Sequence, residues 1–90
     1  MNINNPNPNI YIIPNPSSNL TLIQWHNIVV ENNTQMEVYD ENSKKIFLRN
    51  INIEVRKLSP DVSKFKAGVY FVKIIAENKF IIGEKLNVVH

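Results

Sequence analysis

The chain reads as an all-β sandwich of about seven short antiparallel strands. Three observations carry that reading. β-Branched residues dominate, with thirteen Ile and nine Val against two Ala and five Leu, a balance that suits pleated surfaces and disfavours helices. Short runs alternate apolar with polar residues, the period of a strand with one buried face. Turn signals interrupt those runs about every 8–12 residues, the spacing of a sandwich. Fifteen Asn residues supply many of the turns, because their side chains compete for backbone hydrogen bonds.

Met1 to Asn9 reads MNINNPNPN. It is polar and broken by prolines, so residues 1–9 are expected to be a flexible linker ahead of a single domain over 10–90. A linker there implies a further segment upstream. Ile10 to Ile13 is expected to be an edge strand that stops at Pro14. Pro14-Asn15-Pro16-Ser17-Ser18-Asn19 is a turn, since prolines fix φ and Asn and Ser bond nearby backbone. Leu20 to Trp25 alternates, with Thr21, Ile23 and Trp25 on one face. Ile28-Val29-Val30 is followed by a turn signal over Glu31 to Thr34. Gln35 to Asp40 is a strand with Met36 and Val38 on one side and Glu37 and Tyr39 on the other. Asp40 to Ser43 turns the chain, and Lys45 to Asn50 returns with Ile46 and Leu48 continuing the buried face. Ile51 to Leu58 alternates through Ile53 and Val55, until Ser59-Pro60 breaks it. Asp61 to Ala67 is a corner, where Asp61 and Ser63 cap a turn and Val62 and Phe65 face the core. Val69 to Ala76 is the most apolar strand and is expected to be central. Glu77 to Lys79 turns into the closing strand, Phe80 to Val89.

Phe65-x-x-Gly68-x-Tyr70 is the most informative local pattern. A Tyr entering a late strand of an immunoglobulin-like sandwich bonds back to the chain a few residues upstream. Gly68 supplies a conformation that a Cβ resists. The expected fold is therefore an immunoglobulin-like β-sandwich.

Ninety residues with a net charge of +2 make one domain with one modest core. The small basic excess is not clustered, which argues against nucleic acid. No apolar run approaches the ~20 residues of a membrane helix, so no membrane insertion is expected. With no cysteine, disulfides and Cys-held metal are excluded. His26 and His90 lie far apart in the sequence, the serines lack a positioned base, and two glycines cannot build a phosphate loop. No enzyme activity, metal or cofactor is expected.

Several segments, in order, resemble the C-terminal sorting domain (type A) of proteins secreted by the type IX, or Por, system of Bacteroidetes. Tyr11-Ile12-Ile13-Pro14-Asn15-Pro16-Ser17 is similar to the opening Y-P-N-P-S element. Met36-Glu37-Val38-Tyr39-Asp40 is similar to the central l-x-V-Y-D strand, and Lys44-Lys45-Ile46-Phe47 follows as G-K-l-v does. Asp61 to Ile74, DVSKFKAGVYFVKI, is similar to D-V-S-x-L-x-x-G-v-Y-f-v-k-i. Glu84-Lys85-Leu86-Asn87-Val88-Val89 is similar to the basic, apolar closing strand. Ser43 stands where the family has the hairpin Gly, Pro60 where a strand residue is usual, and His90 where a basic residue is usual.

The resemblance implies a non-catalytic secretion signal that takes an upstream, covalently linked cargo across the outer membrane and is then removed. The implied partners are the type IX translocon, an outer-membrane shuttle protein and a surface sortase. The implied location is secreted or cell-surface, with periplasmic transit. The motif residues implied are Pro14, Asn15, Pro16, Tyr39, Asp40, Asp61, Val62, Ser63, Gly68, Tyr70, Phe71, Lys85, Leu86, Val88 and Val89. An edge strand can pair with a partner, and Phe80 to Val89 is the strand expected to be read. The alternative is an immunoglobulin- or fibronectin-like binding module, adhesive or carbohydrate-binding, with Trp25, Tyr11 and Tyr39 as an aromatic platform. A structural spacer is a third reading.

Overall fold

The computed structural model describes residues 8–28, 33–52 and 56–90. Most of the linker, the turn over Glu31 and Asn32, and Ile53 and Val55 of the alternating run lie outside them. Among the described residues seven strands form two antiparallel sheets: β1 (Asn9–Ile13), β2 (Leu22–His26), β3 (Thr34–Tyr39), β4 (Lys45–Ile51), β5 (Lys57–Leu58), β6 (Gly68–Ala76) and β7 (Lys79–Val88). The smaller sheet runs β1-β2-β5 and the larger runs β4-β3-β6-β7. The all-β sandwich is as the alternation predicts, and β6 is central.

The core lies between the sheets. Ile10, Ile12, Ile23 and Trp25 from one sheet meet Met36, Val38, Tyr70, Val72, Ile74, Leu86 and Val88 from the other. Strand period dictates this choice, since alternate residues share a face. Burying each such side chain stabilises the fold by about 1.5–3 kcal/mol.

β4 departs from its expected phase. A bulge between Val38 and Tyr39 pairs Val38 with Phe47 and Tyr39 with Lys45, leaving Ile46 as the extra residue. A bulge shifts every later side chain to the other face. Phe47 therefore packs on the core beside Ile46, which faces it as expected, and Leu48 is exposed. The chain also leaves this sheet after Ile51, and β5 pairs with β2 in the smaller sheet.

The corner closes one end. Asp61 Oδ1 accepts the Ser63 N–H at 2.9 Å, and the Phe65 N–H bonds Val62 O at 3.0 Å. Val62 is fully buried. The Tyr70 hydroxyl donates to Lys66 O at 2.5 Å, the tyrosine-corner geometry. Phe65 packs on the Tyr70 ring, with centroids 5.3 Å apart. Gly68 has φ of 157°, which L side chains rarely adopt.

Candidate functional site

The opening Pro-Asn-Pro segment meets the closing segment at the outer edge of β7. After Ile13 the chain leaves the smaller sheet, and Pro14 to Ser17 crosses to the larger one. Asn15 lies between two prolines, each with no backbone donor to offer. Its side-chain amide donates to Lys85 O at 2.9 Å and accepts the Asn87 N–H at 2.8 Å. A primary amide carries the same donor and acceptor as a peptide group, so Asn15 stands in for a neighbouring strand. Two residues on, the Ser17 N–H bonds Asn87 O at 2.8 Å and the Val89 N–H bonds Ser17 O at 2.9 Å. Ser17 is buried, and its hydroxyl shares a hydrogen bond with Thr21.

This clamp closes the outer edge of β7 from Lys85 to Val89. The Lys85 N–H is taken by Glu84 Oε1 at 3.0 Å. The next backbone position facing outward is Gly83. β7 pairs with β6 on its other side, and among the described residues no strand pairs with its outer edge beside Gly83.

The motif residues divide by what they touch. Val62, Tyr70, Leu86 and Val88 are buried. Asp40, Asp61, Ser63 and Gly68 shape turns and the corner. Asp40 Oδ1 accepts the N–H groups of Asn42 and Lys44, both at 2.9 Å, which fixes the β3–β4 turn. Ser43 follows with φ of 63°, so the serine sits in a conformation that glycine adopts freely. Pro14, Asn15, Pro16 and Val89 belong to the clamp region. Tyr39, Phe71 and Lys85 face outward.

Those last three stand in one row. Tyr39 is paired with Phe71 and Phe71 with Lys85, and Lys45 extends the row on β4. The adjacent row holds Glu37, Lys73 and Gly83. The Tyr39 hydroxyl donates to Glu37, Lys45 Nζ lies 3.1 Å from Glu37 Oε2, and Lys73 Nζ sits 4.5 Å above the Tyr39 ring. Burial pushes the Glu37 carboxyl up. Hydrogen bonds from Tyr39 and Lys45, with the charges of Lys45 and Lys73, outweigh it, and the group titrates below its ordinary value. The hydrogen bond to Glu37, aided by burial, holds Tyr39 above its own.

Phe80 and Gly83 share this outer face. Ile74 pairs with Ile82 and Ile75 with Phe80, so Ile81 is a bulge that turns Phe80 outward. The Phe80 ring lies over Gly83, where an added Cβ would meet it at 3.2 Å and Val72 O at 3.1 Å. Phe71, Lys73, Phe80, Gly83, Glu84 and Lys85 line a shallow hollow there.

The sequence motifs contain Asn15 and Lys85 but give no sign that the two meet, and nothing local singles out Asn87, Lys73, Phe80 or Gly83. Ser17 was legible only as part of the opening motif. The aromatic platform does not assemble. Trp25 is 1% exposed, in the core, while Tyr11, 48% exposed, lies on the smaller sheet and Tyr39 on the larger. Among the described residues, no group of three or more His, Cys, Asp or Glu could hold a metal, and no helix could cross a membrane.

Residues 9–88 match the family model described as the secretion system C-terminal sorting domain. No curated protein and no solved structure matches the chain.

Proposed function

Because this chain belongs to the C-terminal sorting domain family of the type IX secretion system, we propose that it carries a cargo through the outer-membrane translocon and is then cut off by a surface sortase. Membership makes it a secretion-signal domain rather than a member of a catalytic family, attached to a secreted or cell-surface cargo and interacting with the type IX system. The translocon, the shuttle protein, the sortase and the periplasmic route are the proposed part. Residues 1–9 are the proposed linker to the cargo, and residues 10–90 the signal.

One observation supports this reading most. The opening motif at Asn15 and the closing motif at Lys85 to Val89 form a single site. Turn-making alone does not require that Asn15 reach a strand 70 residues away. The site is the edge of the last strand, and an edge is where a partner strand is added. We assign recognition to the exposed Asn15, Phe71 and Lys85 with the half-buried Tyr39 of the same row, and a supporting role to the buried members of the motif.

The test is a fluorescent reporter with an N-terminal signal peptide, with or without residues 1–90 fused behind it, in a host with a type IX system. The fused reporter is expected outside the cell and the bare reporter in the periplasm. Equal distribution of the two would leave the domain a spacer. Deleting Lys85 to His90 is a poor substitute, because Leu86 and Val88 are core residues.

A further inference from the structure

We propose that the hollow over Gly83 is a docking site for a short, extended, acidic segment of a partner protein. The inference rests on the sorting reading above and narrows it to one half of one strand. The clamp leaves little choice of register. From Lys85 onward, the outer backbone groups of β7 are bonded to Asn15, Ser17 and Glu84. An incoming strand therefore meets the edge at Gly83, where no strand is paired on the outside among the described residues.

The side chains around Gly83 define what fits. Phe80 is 62% exposed and Phe71 42% exposed, two large apolar surfaces turned to solvent on the same face. Lone exposed apolar residues are ordinary, but two beside an open strand edge make a patch. Gly83 keeps the floor between them low. Lys73 and Lys85 flank the hollow, and its one acid, Glu84, is turned to the Lys85 N–H. Two lysines against one carboxylate leave the lining net positive, with Lys73 shared with the Tyr39 ring. A segment that pairs with Gly83 would place an apolar side chain between Phe71 and Phe80, and carboxylates toward Lys73 and Lys85. Backbone bonds would give affinity, and the hollow would give selection.

The experiment uses the cargo-fused chain in a type IX host. The photo-crosslinking residue p-benzoylphenylalanine is placed at Phe80 or, as a control on the opposite edge, at Leu48. Export and crosslinked peptides are read from the same cells, and thermal melting checks that each variant folds. A partner adduct is expected at position 80 and not at 48, in a peptide rich in Asp or Glu. Lys85→Glu and Phe71→Ser are expected to cut its yield at least tenfold, and Lys85→Arg to restore it. Normal export with no adduct at 80, or with equal adducts at 48, would overturn this site and leave the sorting reading standing. An adduct indifferent to Lys85→Glu would overturn the acidic partner. Failure of the unsubstituted fusion to leave the cell would overturn both readings.

Discussion

Asn15 and Asn87 stand 72 residues apart and are joined by one hydrogen bond, the Asn87 N–H to Asn15 Oδ1 at 2.8 Å. With the bond from Asn15 Nδ2 to Lys85 O, it makes a side chain behave as a piece of strand. The consequence is a last strand whose edge is half closed. An open edge invites uncontrolled pairing, and the clamp restricts it to the stretch before Lys85.

Asn15→Ala removes both bonds. A net loss of about 1–2 kcal/mol in unfolding free energy is expected, with faster amide exchange at Asn87. Asn15→Asp keeps the acceptor but sets a carboxylate against Lys85 O, so it too should be less stable than the unsubstituted domain. An unchanged exchange rate at Asn87 in Asn15→Ala would remove the clamp from the account.

Tyr70→Phe deletes the hydroxyl that bonds Lys66 O and keeps the ring against Phe65. A loss of about 0.5–1.5 kcal/mol is expected from urea denaturation. Gly68→Ala should cost more, about 1–3 kcal/mol. The cost there comes from φ and not from crowding, since the added Cβ would lie 3.7 Å from Glu41 Oε1.

Ser43→Gly should stabilise the domain. Ser43 holds φ of 63°, which costs an L residue about 1–2 kcal/mol. Glycine avoids that strain but has more freedom to lose in the unfolded chain. A net gain of about 0.5 kcal/mol in unfolding free energy is expected, seen as a higher denaturation midpoint. A lower midpoint would mean that the serine side chain stabilises the turn.

Acid should weaken the fold through Glu37 and Asp61. Both titrate below their ordinary values when folded. In Asp61 the cause is hydrogen bonding from the Ser63 side chain and backbone, and in Glu37 the bonds from Tyr39 and Lys45. A carboxyl with a lowered folded pKa stabilises above the ordinary range, and that contribution is lost as pH falls through the folded value. Tyr39, through its bond to Glu37, and Tyr70, through burial, work in reverse. They titrate above the ordinary tyrosine value, so their contribution holds below it and is lost in strong alkali. Between about pH 5 and pH 3, melting temperature should fall, and Glu37→Gln should make that slope shallower. An equal slope in the variant would refute the role of Glu37.

Much of the fold was legible because its signals are local. Alternation placed Ile23 and Trp25 inside, and the corner was readable from Phe65, Gly68 and Tyr70, all within one turn and one strand. The phase of β4 was not legible. Ile46 packs on the core as its alternation predicts, but only the pairing with β3 introduces the bulge that brings Phe47 in beside it and turns Leu48 out. The clamp was hidden for a related reason. Pro14-Asn15-Pro16 is complete as a turn, and nothing in it points to Lys85 or Asn87. The hollow was hidden by the bulge at Ile81, which brings Phe80 to the face of Gly83 against simple alternation.

The most direct measurement is the location of a reporter fused to residues 1–90 in a type IX host and in the same host lacking the translocon. The account predicts reporter outside the intact cells and folded reporter held in the periplasm of the deleted ones. Reporter outside both, or held inside both with the domain folded, would contradict it.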